Sequence, residues 1–127
     1  MNNDSLERKL EQLRIEDFIW VIYIGIIFIS WYANNLERKY FIYNDLESRE
    51  QYRKIMIFIF SILIIIYLYF VKDSYDDVKN INPYESQEVK DLTLLSYIGS
   101  LLIFISGVIF LYIAIKDEEL NVELAFN

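Results

Sequence analysis

Three apolar blocks alternate with four charged stretches along the chain, and that alternation predicts its elements. The longest block, residues 94–115 (LLSYIGSLLIFISGVIFLYIAI), has 22 residues without a charge, 14 of them Leu, Ile, Phe or Val. As a helix it covers roughly 33 Å, about the hydrocarbon thickness of a bilayer. Its apolar residues occur all round the helix and not along one stripe, so a soluble fold this small has nothing to cover them with. A second block, 55–71, has 17 residues, with Ser61 the polar residue at its middle. A third, 18–33, has only 16. At about 24 Å it is short for a span and depends on its flanks reaching outward. The pattern predicts an all-α protein: an integral membrane bundle of three transmembrane helices with helical extensions beyond the bilayer.

Aromatic residues mark the ends of these blocks. Trp20, Trp31 and Tyr32 flank the first, Tyr67 and Tyr69 lie toward the end of the second, and Tyr97 and Tyr112 bracket the third. Indole and phenol rings favour the headgroup level, where an apolar body and a polar tip are both satisfied. Arg53, Lys54 and Lys72 flank the second block and can snorkel.

The stretches between blocks read as follows. Residues 1–17 form a polar leader in which Asp4 and Glu7 have capping-box spacing, and Leu6, Leu10 and Leu13 share one helical face. It is either an amphipathic or partner-binding helix, or a plain extension of the first span. The basic connection 34–54 has no helix breaker before Asn44-Asp45, where a turn is expected with Asn44 and Glu47 capping the next helix. Its Tyr40-Phe41-Ile42-Tyr43 run is an apolar patch that either docks a partner or packs within the hairpin. The connection 72–93 is acidic. Asn82, Pro83 and Glu85 have the spacing of a helix start, which places the third helix from about Pro83. Asp73, Asp76 and Asp77 lack the spacing of a calcium loop and read as a solvated surface. The tail, 116–127, is acidic, with Leu120, Val122, Leu124 and Phe126 alternating with polar residues, as in a frayed end or an extended docking segment.

Within the third block, Ser96, Gly99, Ser100, Ser106, Gly107 and Ala114 occupy roughly a third of the helical circumference. Small residues let another backbone approach closely where lipid provides no hydrophobic drive for association. This helix is therefore expected to be the packing centre, against the same chain or a second molecule.

Composition narrows the chemistry. The chain has 127 residues, no Cys, no His and a net charge of −7. Disulfides and thiol or imidazole chemistry are excluded, and the negative charge argues against nucleic acid and against attachment to anionic lipid. No Asp, Glu, Lys or Arg lies inside any block, so the usual markers of ion pathways and proton relays are missing. An enzyme would have to use carboxylates at the membrane boundary, for which Glu16, Asp17 and Asp91 are the candidates; their simpler reading is as helix-end residues. No catalytic, cofactor-binding or metal residue is assigned. Basic residues number six on either side of a three-span arrangement. The tie breaks toward a cytoplasmic first connection, because more of its lysines and arginines lie close to the spans, which puts the N-terminus outside and the C-terminus inside the cell membrane.

Glu16-Asp17-Phe18-Ile19-Trp20 and Asn35-Leu36-Glu37-Arg38-Lys39-Tyr40 resemble small, uncharacterised three-span membrane proteins of low-GC Gram-positive bacteria. That resemblance implies a bacterial membrane location and no particular activity. In size and layout the chain is also similar to three-span phage holins, although those end in a basic tail and this one carries Asp117-Glu118-Glu119. The expected function is that of a non-catalytic small integral membrane protein, self-associating or serving as an accessory or regulatory subunit of a membrane complex. Its partners would be membrane lipid and another copy or a membrane protein, with no cofactor, small-molecule substrate or nucleic acid. The alternative is a pore, holin-like or a small ion channel.

Overall fold

A computed structural model of the chain describes residues 3–124, and among these it contains three helices and no strand. Helix α1 runs unbroken from Asn3 to Tyr43, α2 from Leu46 to Lys79 and α3 from Gln87 to Lys116. At 41, 34 and 30 residues they measure about 60, 50 and 45 Å, each longer than its apolar block. The charged connections of the sequence are thus mostly helix, and the turns between helices are short.

The α1–α2 turn is built by two residues. Asn44 takes a left-handed conformation (φ 55°) and its N–H bonds the Tyr40 carbonyl at 2.8 Å, closing α1. Asp45 then caps α2: its carboxylate accepts from the N–H groups of Glu47 and Ser48 and from the Ser48 hydroxyl, the last at 2.9 Å. The cap is therefore Asp45 and not Asn44, because Asn44 is spent on the αL position that Asn tolerates better than most residues.

Helix α3 begins later than the Asn-Pro spacing suggests. The Asn82 side chain accepts the Tyr84 N–H at 2.9 Å and its carbonyl accepts from Glu85 N, which closes a turn over 82–85. Ser86 is the N-cap, its hydroxyl accepting the Val89 N–H at 3.3 Å. A side chain that bonds its own backbone two residues on can make a turn or a cap, and here the turn wins. Asp4 likewise lies one residue inside α1, which already includes Asn3.

The three helices form a row, with α2 in the middle. Both α1 and α3 pack on α2, and among the described residues the backbones of α1 and α3 do not approach each other. The packing centre is thus α2 and not α3. Its Tyr52, Met56, Ile59, Phe60 and Leu63 form the core with Ile26, Ala33 and Leu36 of α1 and Ala114 of α3. Phe60 stacks on Phe110 of α3 with ring centroids 5.7 Å apart.

Among the described residues two helices, α2 and α3, are long and apolar enough to cross a membrane; α1 does not join them, so two such helices are found where three spans were expected. The apolar block of α1 is the shortest. It holds Trp20, Tyr23, Trp31 and Tyr32, and Glu16-Asp17 and Asn34-Asn35 close it in.

Candidate functional site

A partly enclosed polar cavity lies where the α1–α2 hairpin meets the end of α3 and the tail. It has a volume of about 390 Å³ and is lined by Glu37 and Phe41 of α1, Tyr52, Arg53 and Met56 of α2, Ile113 and Ala114 of α3, and Asp117 and residues 120–124 of the tail. The tail is folded back to reach it. The Asp117 carboxylate accepts the N–H groups of Asn121 (3.0 Å) and Val122 (2.7 Å), and Leu120 turns the chain with φ 56°. Leu124 is thereby buried in the same core as Leu36, Tyr52 and Met56. Of the alternating tail residues, Val122 is exposed and Phe126 lies outside the described residues.

Within the cavity the Tyr52 hydroxyl donates to the Glu37 carboxylate. Burial pushes the Glu37 carboxyl above its ordinary range; the tyrosine hydrogen bond pulls the other way and the nearby Glu123 charge adds to the rise. Burial and the Glu37 carboxylate together push the Tyr52 phenol up, so it remains a neutral donor. Arg53 supplies the positive charge: its Nη2 donates to the Ile115 carbonyl at 2.9 Å and its Nη1 pairs with Glu50 at 3.1 Å. Its Nε and that of Arg49 are shielded from solvent without a protein acceptor. The Arg49 guanidinium lies 5.6 Å from the centre of the Tyr40 ring. Chemically this is a tyrosine–carboxylate hydrogen bond beside a carbonyl-anchored guanidinium, and together they tie α1, α2 and the end of α3 to one another.

A second groove, of about 550 Å³, runs between α1 and α2 within the apolar blocks and is lined by Trp20, Tyr23, Ser30, Trp31, Leu63 and Tyr67 among others. At the opposite end of the molecule, Gln12 Nε2 of α1 donates to Asp73 of α2 at 2.6 Å. Burial, Asp77 and Glu16 raise the Asp73 carboxyl, and Lys9 offsets part of that rise. The acidic surface expected at Asp73–Asp77 is thus partly covered by the leader. Among the described residues no group of three or more acidic side chains is placed to hold a metal ion.

The small residues of α3 are distributed over different surroundings. Gly107 and Ala114 are buried against α2, with the Tyr67 ring over Gly107. Gly99 has open space beyond it, Ser96 and Ser106 are exposed, and Ser100 is half-buried with its hydroxyl bonded to the Ser96 carbonyl at 3.0 Å. Of the boundary aromatics, Trp20, Trp31, Tyr32 and Tyr112 are exposed, whereas Tyr67, Tyr69 and Tyr97 are half-buried. Ser61 bonds back to the Ile57 carbonyl at 2.7 Å, as expected of a hydroxyl inside an apolar helix. The boundary carboxylates Glu16, Asp17 and Asp91 are not gathered into one site: the first two lie on α1, and Asp91 on α3 accepts from Gln87 at 2.9 Å.

The cavity residues Glu37, Tyr52, Arg53 and Glu123 escape sequence reasoning because they come from three separated stretches with no local motif. The one available signal is that Glu37 and Tyr52 flank the Asn44-Asp45 turn at equal helical distance, which an antiparallel hairpin brings opposite each other. No family model matches this chain, and neither does any curated protein or solved structure.

Proposed function

We propose that this protein is a non-catalytic membrane-embedded helical subunit, held in the bilayer by α2 and α3 and associating with a second copy or with a membrane partner. The observation that carries this reading is the exposure of α3: only 11% of its most apolar stretch is buried within the chain, against 28% for α2. A core helix of a soluble protein is buried by its own fold. A helix that presents Leu, Ile and Val on nearly every side needs lipid around it. Helix α1 then lies alongside α2 as a third, shorter span, with residues 18–33 in the hydrocarbon. Its outward Phe18, Val21, Ile24 and Phe28 are all exposed, which supports that placement. The two-helix turn and the tail cavity occupy the cytoplasmic side in this arrangement, and the leader the outer side.

Association follows from the row-like packing, which leaves one face of α1 and one of α3 without a neighbour. The test is native mass spectrometry after gentle extraction from membranes. The expected result is a discrete complex, with itself or a co-purifying protein, that remains with the membrane fraction under alkaline carbonate. Recovery in the soluble fraction as a monomer would overturn the proposal.

A further inference from the structure

We infer that the groove between α1 and α2 holds one phospholipid, with its phosphate on Arg38, its ester oxygens level with Asn34 and Ser30, and an acyl chain along Tyr23 and Trp20. The inference rests on the membrane reading above and assigns a ligand to one surface of it. Along α1, Trp20, Tyr23, Ile27, Trp31, Asn34 and Arg38 follow one another at spacings of 3, 4, 4, 3 and 4, so they form a single stripe on the helix. The first five line the groove, and Leu63 and Tyr67 of α2 form its other wall.

The order of chemistry along the stripe matches that of a phospholipid. No charged side chain lines the groove. Trp20 and Tyr23 meet edge to face with ring centroids 5.6 Å apart, which makes a rigid aromatic wall for a hydrocarbon chain. Toward the α1–α2 turn, Ser30 Oγ is shielded from solvent and has no hydrogen-bond partner among the described residues, and one turn further the Asn34 amide is exposed. A shielded hydroxyl without a partner carries a free-energy cost that a ligand acceptor removes. The ester carbonyl of a lipid is such an acceptor, and it lies just below the phosphate.

Arg38 completes the series. Helical side chains lean toward the N-terminus of their helix. Arg38 Nη1 donates to Asn35 Oδ1 at 2.6 Å, so the exposed guanidinium is drawn back over the turn that carries Asn34. Its other N–H groups suit phosphate oxygens. The net charge of −7 opposes long-range attraction to anionic surfaces, but this contact is local, and the adjacent Glu37 is turned to Tyr52 in the tail cavity. Length agrees as well: Trp20 to Asn34 covers about 21 Å of helix, enough for the roughly 15 Å of hydrocarbon in one leaflet. A purely apolar partner helix would cover the aromatic wall and leave Ser30 unpaired.

Trp20 and Trp31 are the two tryptophans of the chain, so intrinsic fluorescence reports on this groove without a label. The full-length protein in dodecyl maltoside, titrated with phosphatidylglycerol brominated along its acyl chains, should show quenching that saturates near one lipid per chain. Ser30→Phe, which puts a ring into the groove, should abolish the saturable phase. Arg38→Gln changes an exposed side chain without disturbing the fold. It should weaken binding about fivefold, the weight of one exposed charge pair, and bring phosphatidylglycerol level with a diacylglycerol of the same chains. Quenching that rises with the lipid-to-detergent ratio without saturating, alike in wild type and both variants, would overturn the inference and leave the membrane reading standing. A saturable phase that neither variant alters would overturn it too, by placing the lipid elsewhere. A chain recovered from cells in the soluble fraction would overturn both.

Discussion

The Tyr67 ring lies over Gly107, so that a methyl group placed on this glycine would stand 3.1 Å from Cδ2 and 3.3 Å from Cε2, with Ile64 Cγ1 at 3.4 Å. Close approach of α3 to α2 thus depends on a missing side chain at one position. Gly107→Leu should force the helices apart and lower stability by about 1–3 kcal/mol, the usual range for overpacking. Gly99→Leu should leave the fold intact, because nothing lies within 4 Å of it. Thermal unfolding of both variants in one detergent separates them; equal losses would show that α3 is rotated from the position described.

The face of α2 can be tested in the same way. Phe60 is buried and stacked on Phe110, whereas Ile65, on the same helix, is 70% exposed. On the membrane reading proposed above, Phe60→Ala should cost about 1–3 kcal/mol, less than in a water-soluble core because lipid is as apolar as the interior it replaces. Ile65→Ala should be near neutral for the same reason.

Acidity should tighten the tail. Burial raises Glu37 above its ordinary value of 4.5 in the folded chain, with Glu123 adding to the rise. A carboxyl group that holds its proton more firmly when folded contributes stability that is present below 4.5 and lost as pH climbs through the raised value. Asp45 opposes this. The Ser48 hydroxyl and backbone hydrogen bonds hold it below 3.8, so its contribution is present above 3.8 and fades as pH falls through the lowered value. Protection of the tail amides from hydrogen exchange should therefore increase on acidification toward pH 4.5. Glu37→Gln, which keeps an acceptor for Tyr52, should flatten that response.

Loss of the Tyr52–Glu37 hydrogen bond should also be measurable. Tyr52→Phe removes a buried donor and should cost about 1 kcal/mol, more if Glu37 finds no other partner. Leu124→Ala should cost about 2–3 kcal/mol of tail docking. Limited proteolysis then cuts the tail of Leu124→Ala first and leaves the helices whole; cleavage elsewhere at the same rate would mean that the tail is not what the leucine holds.

Much of the helical architecture is readable along the chain. Uncharged runs such as 94–115 bury backbone polar groups only as helix, and that requirement is local, so the three helices and the hairpin at Asn44-Asp45 follow from residue type and spacing. Local chemistry reads less well where one side chain has two uses. Asn44 and Asn82 each have the form of a cap and serve as turn residues, while Asp45 and Ser86 take the caps. Partners distant in sequence cannot be read at all. A helix apolar all round does not announce which side meets its neighbour, so the central place of α2, the burial of Gly107 but not Gly99, and the folding of Leu124 onto Tyr52 and Met56 arise from packing. The same holds for Glu37, Tyr52 and Glu123. Each is an ordinary polar residue in its own stretch, and only the antiparallel fold and the returning tail set them side by side.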